Sequence, residues 1–447
     1  MSAEAGAAVP KARKRVRLEE TPRTWTGAVL TAIALILVLT AFSLVGIGKR
    51  GEVPNNLALY GTLLALGFFG GWFLARTIAP KADPVLFPMA ALLAGLGFAM
   101  IFRLDGDLAA EQFAWLGVGF IGFCATLVLV RNHRQLDAYT YTIGLIGIVL
   151  LLLPVIPVIG REINGARLWV AIGPFQFQPS ELGKVFVVVF LAAYLDRKRE
   201  LLAAATGKLG RMGLPHIKHL GPLLAAWGVS LLVLFLEKDL GASLLFFAVF
   251  VVMLWIATGR FVYLLLGVLM FCIGAWIAWK AFGHVQTRID VWLHALDPAK
   301  IDGLGYWQVA QGQFAMAAGG LFGTGLGQGQ PFLIPAASTD FIFSAIGEEL
   351  GLVGTTGVLL LSLGLAARSF GVAIRTRDGF GKLLAAGLAT MLGLQMFIIL
   401  GGVMRVIPLT GITLPFVSYG GSSLLANFVI LALLIRISAG PAPKASP

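Results

Sequence analysis

Residues 25–47 read WTGAVLTAIALILVLTAFSLVGI, a run of 23 residues without one charged side chain. About 20 consecutive apolar residues are enough to cross the hydrocarbon core of a bilayer as a helix. The rest of the chain has the same character, since 58% of its 447 residues are hydrophobic and only 13% are charged. Soluble domains carry about 25% charged residues. The sequence therefore predicts a membrane protein and leaves no length for a large soluble catalytic domain.

Eleven more apolar runs follow, each rich in Leu, Val, Ala, Phe and Gly. They lie at 56–75, 84–102, 112–130, 138–158, 180–195, 220–236, 240–258, 261–282, 341–365, 383–403 and 422–437. Read as spans, they predict an all-α polytopic membrane protein with about twelve transmembrane helices.

The charged residues between the spans indicate orientation. Lys and Arg number 34 against 22 Asp and Glu, a formal net charge of +12. An even number of spans places these basic connections on one side, together with both termini: 76–81, 131–134, 196–218, 259–260 and 368–382. Because Lys and Arg concentrate in cytoplasmic loops, we predict that both termini are cytoplasmic. The excess positive charge then reflects topology rather than nucleic-acid binding.

Three connections of another character are predicted on the opposite side, at 160–178, 283–339 and 408–421. The second of them contains several aromatic residues, including Trp292, Tyr306 and Trp307, which is too aromatic for a disordered segment. We expect it to form a structured cap. Rings such as those of Tyr306 and Trp307 can anchor the chain at the membrane interface, where Trp and Tyr are enriched.

Few carboxylates lie near membrane depth, where ionised groups are costly and usually functional. Glu181 and Lys184 lie three residues apart at the start of a predicted span, so a helix places them on one face. They form either a structural ion pair or part of a functional site. Asp340 precedes another span, where it either takes part in chemistry or caps the helix. Glu348 and Glu349 lie deeper in that span and must face protein or water.

Two further segments are polar or glycine-rich. The turn EKD at 237–239 joins two predicted spans, and we expect it to be solvated. The segment 323–329 has glycine at every second position, without the preceding strand or the spacing of a dinucleotide-binding loop. It either offers backbone amides to a pyrophosphate or permits close approach to the helices. No histidine pair has metal-ligand spacing on a helix, which argues against a zinc site.

Six short blocks resemble, in order along the chain, the signature motifs of the SEDS family, the FtsW/RodA/SpoVE group. They are NGARLW at 164–169, QPSELGK at 178–184, DLG at 239–241, GYWQ at 305–308, TDFIF at 339–343 with Glu348 and Glu349, and LPFVSYGGSS at 414–423. Members of this family polymerise lipid II into the glycan strands of peptidoglycan. The resemblance covers residues 84–437.

The resemblance implies a division of the chain, because family members typically have ten spans. Residues 25–83 are then an extra N-terminal transmembrane hairpin, as suits an actinobacterial RodA branch, and residues 84–437 are the core. Residues 283–339 become its long extracellular loop. A disordered basic cytoplasmic tail at 1–24 and a cytoplasmic C-terminal tail at 438–447 flank these parts.

The resemblance also implies an activity: a peptidoglycan glycosyltransferase of the bacterial cytoplasmic membrane, with its active site outside and a role in cell elongation and shape. It implies inverting transfer with Asp340 as general base, lipid II as substrate, a Mg²⁺ or Mn²⁺ ion with unknown ligands, and a class B penicillin-binding protein as membrane partner. The substrate-binding residues expected from the motifs and their surroundings are Arg167, Trp169, Gln178, Ser180, Glu181, Lys184, Thr339, Glu348, Ser418 and Tyr419.

Two other classes of function stay open at the level of sequence. A transporter would use Glu348, Glu349 and Lys184 as a path for flipping a lipid-linked cell-wall precursor. A non-catalytic scaffold would recruit a cell-wall transpeptidase through its apolar helix faces.

Overall fold

The structure is a computed structural model that describes residues 24–156, 159–163, 166–172, 175–204, 207–209, 212–214, 221–237 and 239–440. The predicted N-terminal tail up to residue 23, the C-terminal residues 441–447 and Lys238 of the predicted turn lie outside the described residues.

Helices dominate the described part of the chain. In order they are α1 (Thr24–Arg50), α2 (Leu57–Ile78), α3 (Leu86–Leu104), α4 (Gly106–Leu129), α5 (Arg134–Ala138), α6 (Thr140–Leu152), α7 (Pro179–Ala204), α8 (Gly221–Glu237), α9 (Leu240–Thr258), α10 (Phe261–Ala281), α11 (Gly283–His294), α12 (Leu304–Gly319), α13 (Ile342–Arg375), α14 (Gly379–Val403) and α15 (Gly421–Ser438). Short 3-10 turns occur at Leu153–Val155 and Pro331–Leu333.

Within the described residues, nine helices are long and apolar enough to cross a membrane: α1, α2, α3, α4, α9, α10, α13, α14 and α15. The other three predicted spans also form helices, but they are less typical of spans. Helix α6 has 13 residues, α8 has 17, and α7 carries charged residues in both its first turn and its second half. The prediction of a polytopic helical membrane protein is confirmed, and the count of twelve spans stays a prediction.

Within the described residues, two small sheets depart from the predicted all-α fold. Strands β1 (Gly160–Ile163), β2 (Ala166–Ile172) and β3 (Phe175–Phe177) form an antiparallel sheet in the order β1-β2-β3. Strands β4 (Gly207–Leu209) and β5 (Met212–Leu214) form a two-stranded hairpin. An Asn-Gly pair at 164–165 separates β1 from β2 in the sequence, and this pair is a strong hairpin signal. Strand pairing satisfies backbone groups that a loop would leave to water.

Helix α14 lies at the centre of the bundle, where 83% of its apolar window is buried, against 22% for α2. Helices α3 and α15 are nearly as buried as α14. The close packing depends on small residues: a Cβ at Gly97 of α3 would lie 2.3 Å from the carbonyl oxygen of Val417. The hairpin formed by α1 and α2 packs on the outside of this core, with Val38 of α1 against Gly95 of α3.

Polar contacts join the basic connections at one end of the bundle, which we call the basic end. Arg368 pairs with Asp83 at 3.2 Å, and His133 pairs with Asp378 at 3.1 Å. Arg436 donates hydrogen bonds to carbonyl oxygens at the C-terminal ends of α2 and α4. This is the end whose Lys and Arg content predicts a cytoplasmic location.

Candidate functional site

Asp340 lies two residues before α13, at the end of the bundle opposite the basic end. It lines a cavity of about 180 Å³. The other lining residues come from α11, α12, the end of α14 and the connection after it: Thr287, Arg288, Val291, Trp292, Gly305, Gln308, Val309, Gly402, Arg405, Leu409 and Gly411. The cavity therefore lies between the cap formed by α11 and α12 and the core of the bundle.

Arg288 of α11 is the cation beside Asp340. A Cβ at Gly411 would lie 3.6 Å from the Arg288 guanidinium and 3.8 Å from Oδ2 of Asp340, so the two charged groups flank the same glycine. Nη1 of Arg288 donates to the carbonyl oxygen of Leu409 at 2.8 Å. Gly411 has a φ of +79°, which a residue with a side chain rarely adopts. Arg288 was not among the residues predicted from the sequence; its position as a cation within an aromatic loop was the available signal.

The surroundings of Asp340 change its acidity. Burial raises the pKa of Asp340 to about 6, although the Arg288 guanidinium and a hydrogen bond from Thr339 act in the opposite direction. The carboxylate of Asp239 adds to the rise. A carboxyl group with a pKa near the working pH is ionised often enough, and basic enough, to accept a proton.

The segment after α14 holds the backbone next to Asp340. The hydroxyl of Ser418 donates to the carbonyl oxygen of Thr339 at 2.7 Å and accepts from the amide of Leu414 at 2.9 Å. The amide of Tyr419 donates to the carbonyl oxygen of Ser338 at 2.8 Å. The hydroxyl of Ser418 is thus engaged with backbone groups, which indicates that it positions the Asp340 segment.

The start of α7 carries the predicted ion pair. Nζ of Lys184 lies 2.7 Å from Oε1 of Glu181, and the Lys184 side chain is only 4% exposed. Ser180 is also buried. The backbone amide of Gln178 donates to Oγ of Ser422 at 2.8 Å, which ties this helix start to α15. A buried lysine needs such a partner, because an uncompensated charge is costly away from water.

Glu237 at the end of α8 is buried, so the expectation of a solvated turn was wrong at this residue. The Glu237 side chain is only 1% exposed, and its Oε2 atom has no hydrogen-bond partner among the described residues. Asp239 caps α9 by accepting a hydrogen bond from the amide of Ala242 at 2.8 Å. Helix α9 packs against both α7 and α8, and Glu237 is buried at this junction.

Asp239 connects the charges electrostatically. Burial raises the pKa of its carboxyl group, while the Ala242 amide, Lys184 and Arg288 lower it and Glu181 raises it. We call Glu181, Lys184, Asp239, Arg288 and Asp340 the charged cluster. Glu181, Lys184 and Asp340 were predicted site residues, Asp239 was expected in a solvated turn, and Arg288 was not predicted.

The other predicted residues lie in different surroundings. Arg167 on β2 is exposed and pairs with Glu162 on β1 at 3.2 Å. Trp169, two residues further on β2, is half-buried. The hydroxyl of Tyr419 donates a hydrogen bond to the Glu111 carboxylate. Their role in binding a substrate stays a prediction.

Glu348 and Glu349 lie on the buried side of α13. Oε1 of Glu348 accepts a hydrogen bond from the amide of Gln330 at 2.6 Å. Oε1 of Glu349 accepts one from Nε of Arg103 on α3, also at 2.6 Å. Glu348 therefore fixes the backbone at Gln330, and Glu349 links α13 to α3.

The predicted Mg²⁺ or Mn²⁺ ion stays a prediction. No three His, Cys, Asp or Glu side chains converge in the described part of the chain in a way that could hold an ion.

Comparison with known proteins identifies the family. A sequence profile of the FtsW/RodA/SpoVE family, described as cell cycle proteins, matches residues 85–441. The chain belongs to this family. Helices α1 and α2 precede the matched region.

Individual FtsW/RodA/SpoVE relatives align over most of the chain. The peptidoglycan glycosyltransferase RodA of Mycobacterium tuberculosis is 46% identical over 424 residues, which cover 92% of this chain and 89% of that protein. A probable peptidoglycan glycosyltransferase FtsW of Geobacter metallireducens is 32% identical, over 80% of this chain and 95% of that protein.

A solved structure has the same fold. It belongs to a study of how a peptidoglycan synthase complex coordinates polymerization and crosslinking. The aligned chain is 31% identical, with a TM-score of 0.66, over 81% of this chain and 98% of that one.

Proposed function

We propose that this protein is a peptidoglycan glycosyltransferase that polymerises lipid II, with Asp340 as the general base. The observation that carries the proposal is the cavity in which the carboxylate of Asp340 and the guanidinium of Arg288 flank Gly411. The names of the FtsW and RodA relatives support the same activity.

The reaction needs a base and a stabilised leaving group. The acceptor sugar hydroxyl loses its proton to Asp340 while its oxygen attacks the anomeric carbon of the donor. The bond from that carbon to the lipid pyrophosphate breaks, and the pyrophosphate leaves with the bonding electron pair. A single attack from the opposite face inverts the anomeric centre and needs one base, without a covalent carboxylate intermediate.

Arg288 is the better placed cation for the pyrophosphate. A guanidinium has five N–H donors and suits phosphate oxygens, and Nη1 of Arg288 uses one of its donors on Leu409. Lys184 is already paired with Glu181, so it contributes a more compensated charge. Cations that face the departing negative charge lower the barrier because that charge develops in the transition state.

We further propose that the site faces the outside of the bacterial cytoplasmic membrane, in support of cell elongation. The basic connections lie at the opposite end, as a cytoplasmic location requires. The study of coordinated polymerization and crosslinking in a peptidoglycan synthase complex supports a crosslinking partner, which we propose is a class B penicillin-binding protein. The role in elongation rests on the family resemblance alone. The Mg²⁺ or Mn²⁺ ion implied by family resemblance stays a prediction.

The transporter alternative gains no support from the contacts of its three candidate residues. Lys184 and Glu349 are engaged in ion pairs, and Glu348 accepts a hydrogen bond from the Gln330 amide. These contacts hold helices and backbone segments together and do not line an open path for a lipid headgroup.

The direct test compares the purified protein with Asp340→Asn in a lipid II polymerisation assay read out on gels. We expect the substitution to lower the rate by at least about a hundredfold, since general base catalysis contributes on that scale. The matched control is Asp302→Asn, an exposed carboxylate of the same long loop. Equal amounts of polymer from the wild type and Asp340→Asn would contradict the catalytic role.

A further inference from the structure

Helix α13 is broken near its first quarter, and a glycine-rich segment, residues 320–330, fills the break. Gly351 has a φ of +65° and a ψ of −163°, which interrupts the helical hydrogen bonds. The amides of Thr324 and Gly325 donate to the carbonyl oxygens of Glu348 and Glu349, at 2.9 and 3.0 Å. In return, the carbonyl oxygen of Gly320 accepts from the amide of Leu352 on the far side of the break, at 2.9 Å.

Side chains from α3 and α13 hold the rest of the glycine-rich segment. Nη2 of Arg103 donates to the carbonyl oxygen of Gly329 at 2.7 Å, while its Nε atom pairs with Glu349. The second carboxylate oxygen of Glu349 accepts from the amide of Gly327 at 2.9 Å. Arg103 and Glu349 are both buried, so this arrangement is shielded from water.

The C-terminal end of α1 contacts the glycine-rich segment. A Cβ at Gly48 would lie only 2.1 Å from the carbonyl oxygen of Leu326, so the two backbones are in direct contact. Nε2 of Gln328 donates to the carbonyl oxygen of Gly48 at 3.1 Å. Nζ of Lys49 reaches the carbonyl oxygen of Arg103 at 3.4 Å. This contact joins a helix outside the matched family region to the connection that leads to Asp340.

The glycine-rich segment and Asp340 are linked through one short helix. Residues 342–350 form the part of α13 before the break, and Asp340 lies just ahead of its first residue. Ser418 and Tyr419 fix the backbone at the Asp340 end. The glycine-rich segment fixes the other end, so a shift of the segment is transmitted to the short helix.

We propose that the end of α1 clamps the glycine-rich segment, with Gly48 and Gln328 acting as positioning residues that keep Asp340 in register with Arg288. This inference rests on the proposed polymerase function. It assigns a task to the N-terminal hairpin: the hairpin acts through the glycine-rich segment without touching the substrate. Displacements of about 1 Å in a catalytic group are enough to lower a rate substantially.

The test uses the full chain in detergent or nanodiscs and the variant Gly48→Ala. The added methyl group must push the Leu326 carbonyl away, since no real contact is as short as 2.1 Å. The matched control is Gly70→Ala on α2 of the same hairpin, where a Cβ would meet open space. Gln328→Ala is the second variant, because it removes the clamp hydrogen bond without a steric clash.

Three measurements are made on each protein: kcat and KM for lipid II polymerisation, the pH dependence of kcat, and hydrogen exchange of residues 320–330. We expect Gly48→Ala to lower kcat on the order of tenfold with little change in KM, and to move the acidic limb of the pH profile. Gln328→Ala should change each quantity in the same direction by a smaller amount. Both variants should exchange faster than Gly70→Ala in residues 320–330.

The outcomes separate the two proposals. If the wild type makes no polymer, the polymerase function fails, and the exchange data still test the contact with α1. If the wild type is active and Gly48→Ala matches Gly70→Ala in exchange and in kcat, the clamp is wrong. Faster exchange with an unchanged kcat and pH profile would overturn the positioning role.

Discussion

Asp340 depends on residues from distant parts of the chain. Its neighbours are Arg288 on α11 and Asp239 at the start of α9, and its own backbone is held by Ser418. Burial disfavours the charged carboxylate, and the Arg288 guanidinium restores part of that loss. The balance leaves a base that is ionised at neutral pH and still able to take up a proton.

The pH dependence of the reaction follows from this balance. Because the pKa of Asp340 is raised to about 6, the ionised base disappears as the pH falls through that value. We expect kcat/KM to fall about tenfold per pH unit below pH 6 and to be level between pH 7 and 8. A profile that stays level down to pH 4.5 would show that the base has an ordinary carboxyl pKa.

Stability provides a control for the same residue. An Asp whose pKa is higher in the folded state than in the unfolded state costs stability once it is ionised, at pH values above its folded pKa. The melting temperature of Asp340→Asn at pH 7.5 should therefore be no lower than that of the wild type. A large loss of stability would mean that Asp340 also has a structural role.

Arg288 has two effects on the site that one substitution can separate. Arg288→Ala removes the cation expected to face the pyrophosphate, and we expect kcat/KM to fall by about 10²- to 10³-fold. It also removes the charge that lowers the pKa of Asp340, so the acidic limb of the pH profile should move to higher pH.

Two further variants serve as controls for the Arg288 prediction. Arg288→Lys keeps the charge, so it should leave the acidic limb nearer its original position. Lys280→Ala, which removes an exposed cation at the end of α10, is the control and should behave as the wild type. An unchanged pH profile in Arg288→Ala would contradict the electrostatic coupling to Asp340.

Among the elements, α13 shows how one residue divides a helix into two parts with different tasks. Gly351 adopts a backbone conformation that only glycine tolerates well, and the glycine-rich segment supplies hydrogen-bond partners on both sides of the break. The part before Gly351 carries Asp340 at its start, and the longer part continues across the bundle. The hydropathy of the sequence does not distinguish the two parts.

Substitution of Gly351 should therefore damage the element. A Cβ at this position would lie 2.3 Å from the amide nitrogen of Gly323, and the φ of +65° adds backbone strain. We expect Gly351→Ala to lower the free energy of unfolding by about 1–3 kcal/mol or more, measured by thermal unfolding in detergent. Gly357→Ala on the same helix, where a Cβ meets open space, is the control and should not destabilise the protein.

At the scale of the whole molecule, the Arg103–Glu349 pair joins α3 to α13. The Glu349 side chain is fully buried and the Arg103 side chain is 8% exposed, so neither charge is solvated. Pairs of this kind do not always add stability compared with apolar residues, but removing one partner leaves a buried charge. The pair thus maintains the arrangement of helices around the glycine-rich segment.

A double-mutant cycle tests this pair. We expect Arg103→Met to cost about 3–5 kcal/mol of unfolding free energy, and Arg103→Met with Glu349→Gln to cost less than the single variant, because the charge is gone. Arg167→Ala, which breaks the exposed pair with Glu162, is the control and should change stability by about 0–1 kcal/mol. Additive losses at Arg103 and Glu349 would show that the two charges do not interact.

Much of the architecture follows from local sequence. The apolar runs predict the helices because backbone groups in a bilayer must be satisfied within each segment. Glu181 and Lys184 form the predicted pair because residues at positions i and i+3 are neighbours on a helix face. The sheet at 160–177 was missed despite its Asn-Gly signal, because a loop between two apolar runs has no periodicity of its own.

The sequence by itself determined that this is a helical membrane protein, that its charges divide between two ends, and that Asp340 lies within a family motif. Only the tertiary structure decided which charges meet. Arg288 and Asp239 join the charged cluster, and Gly48 meets Leu326, because the packing of α7, α9, α11 and α1 brings together residues far apart in the chain. Such contacts have no local pattern, since they depend on how whole helices pack and exclude water.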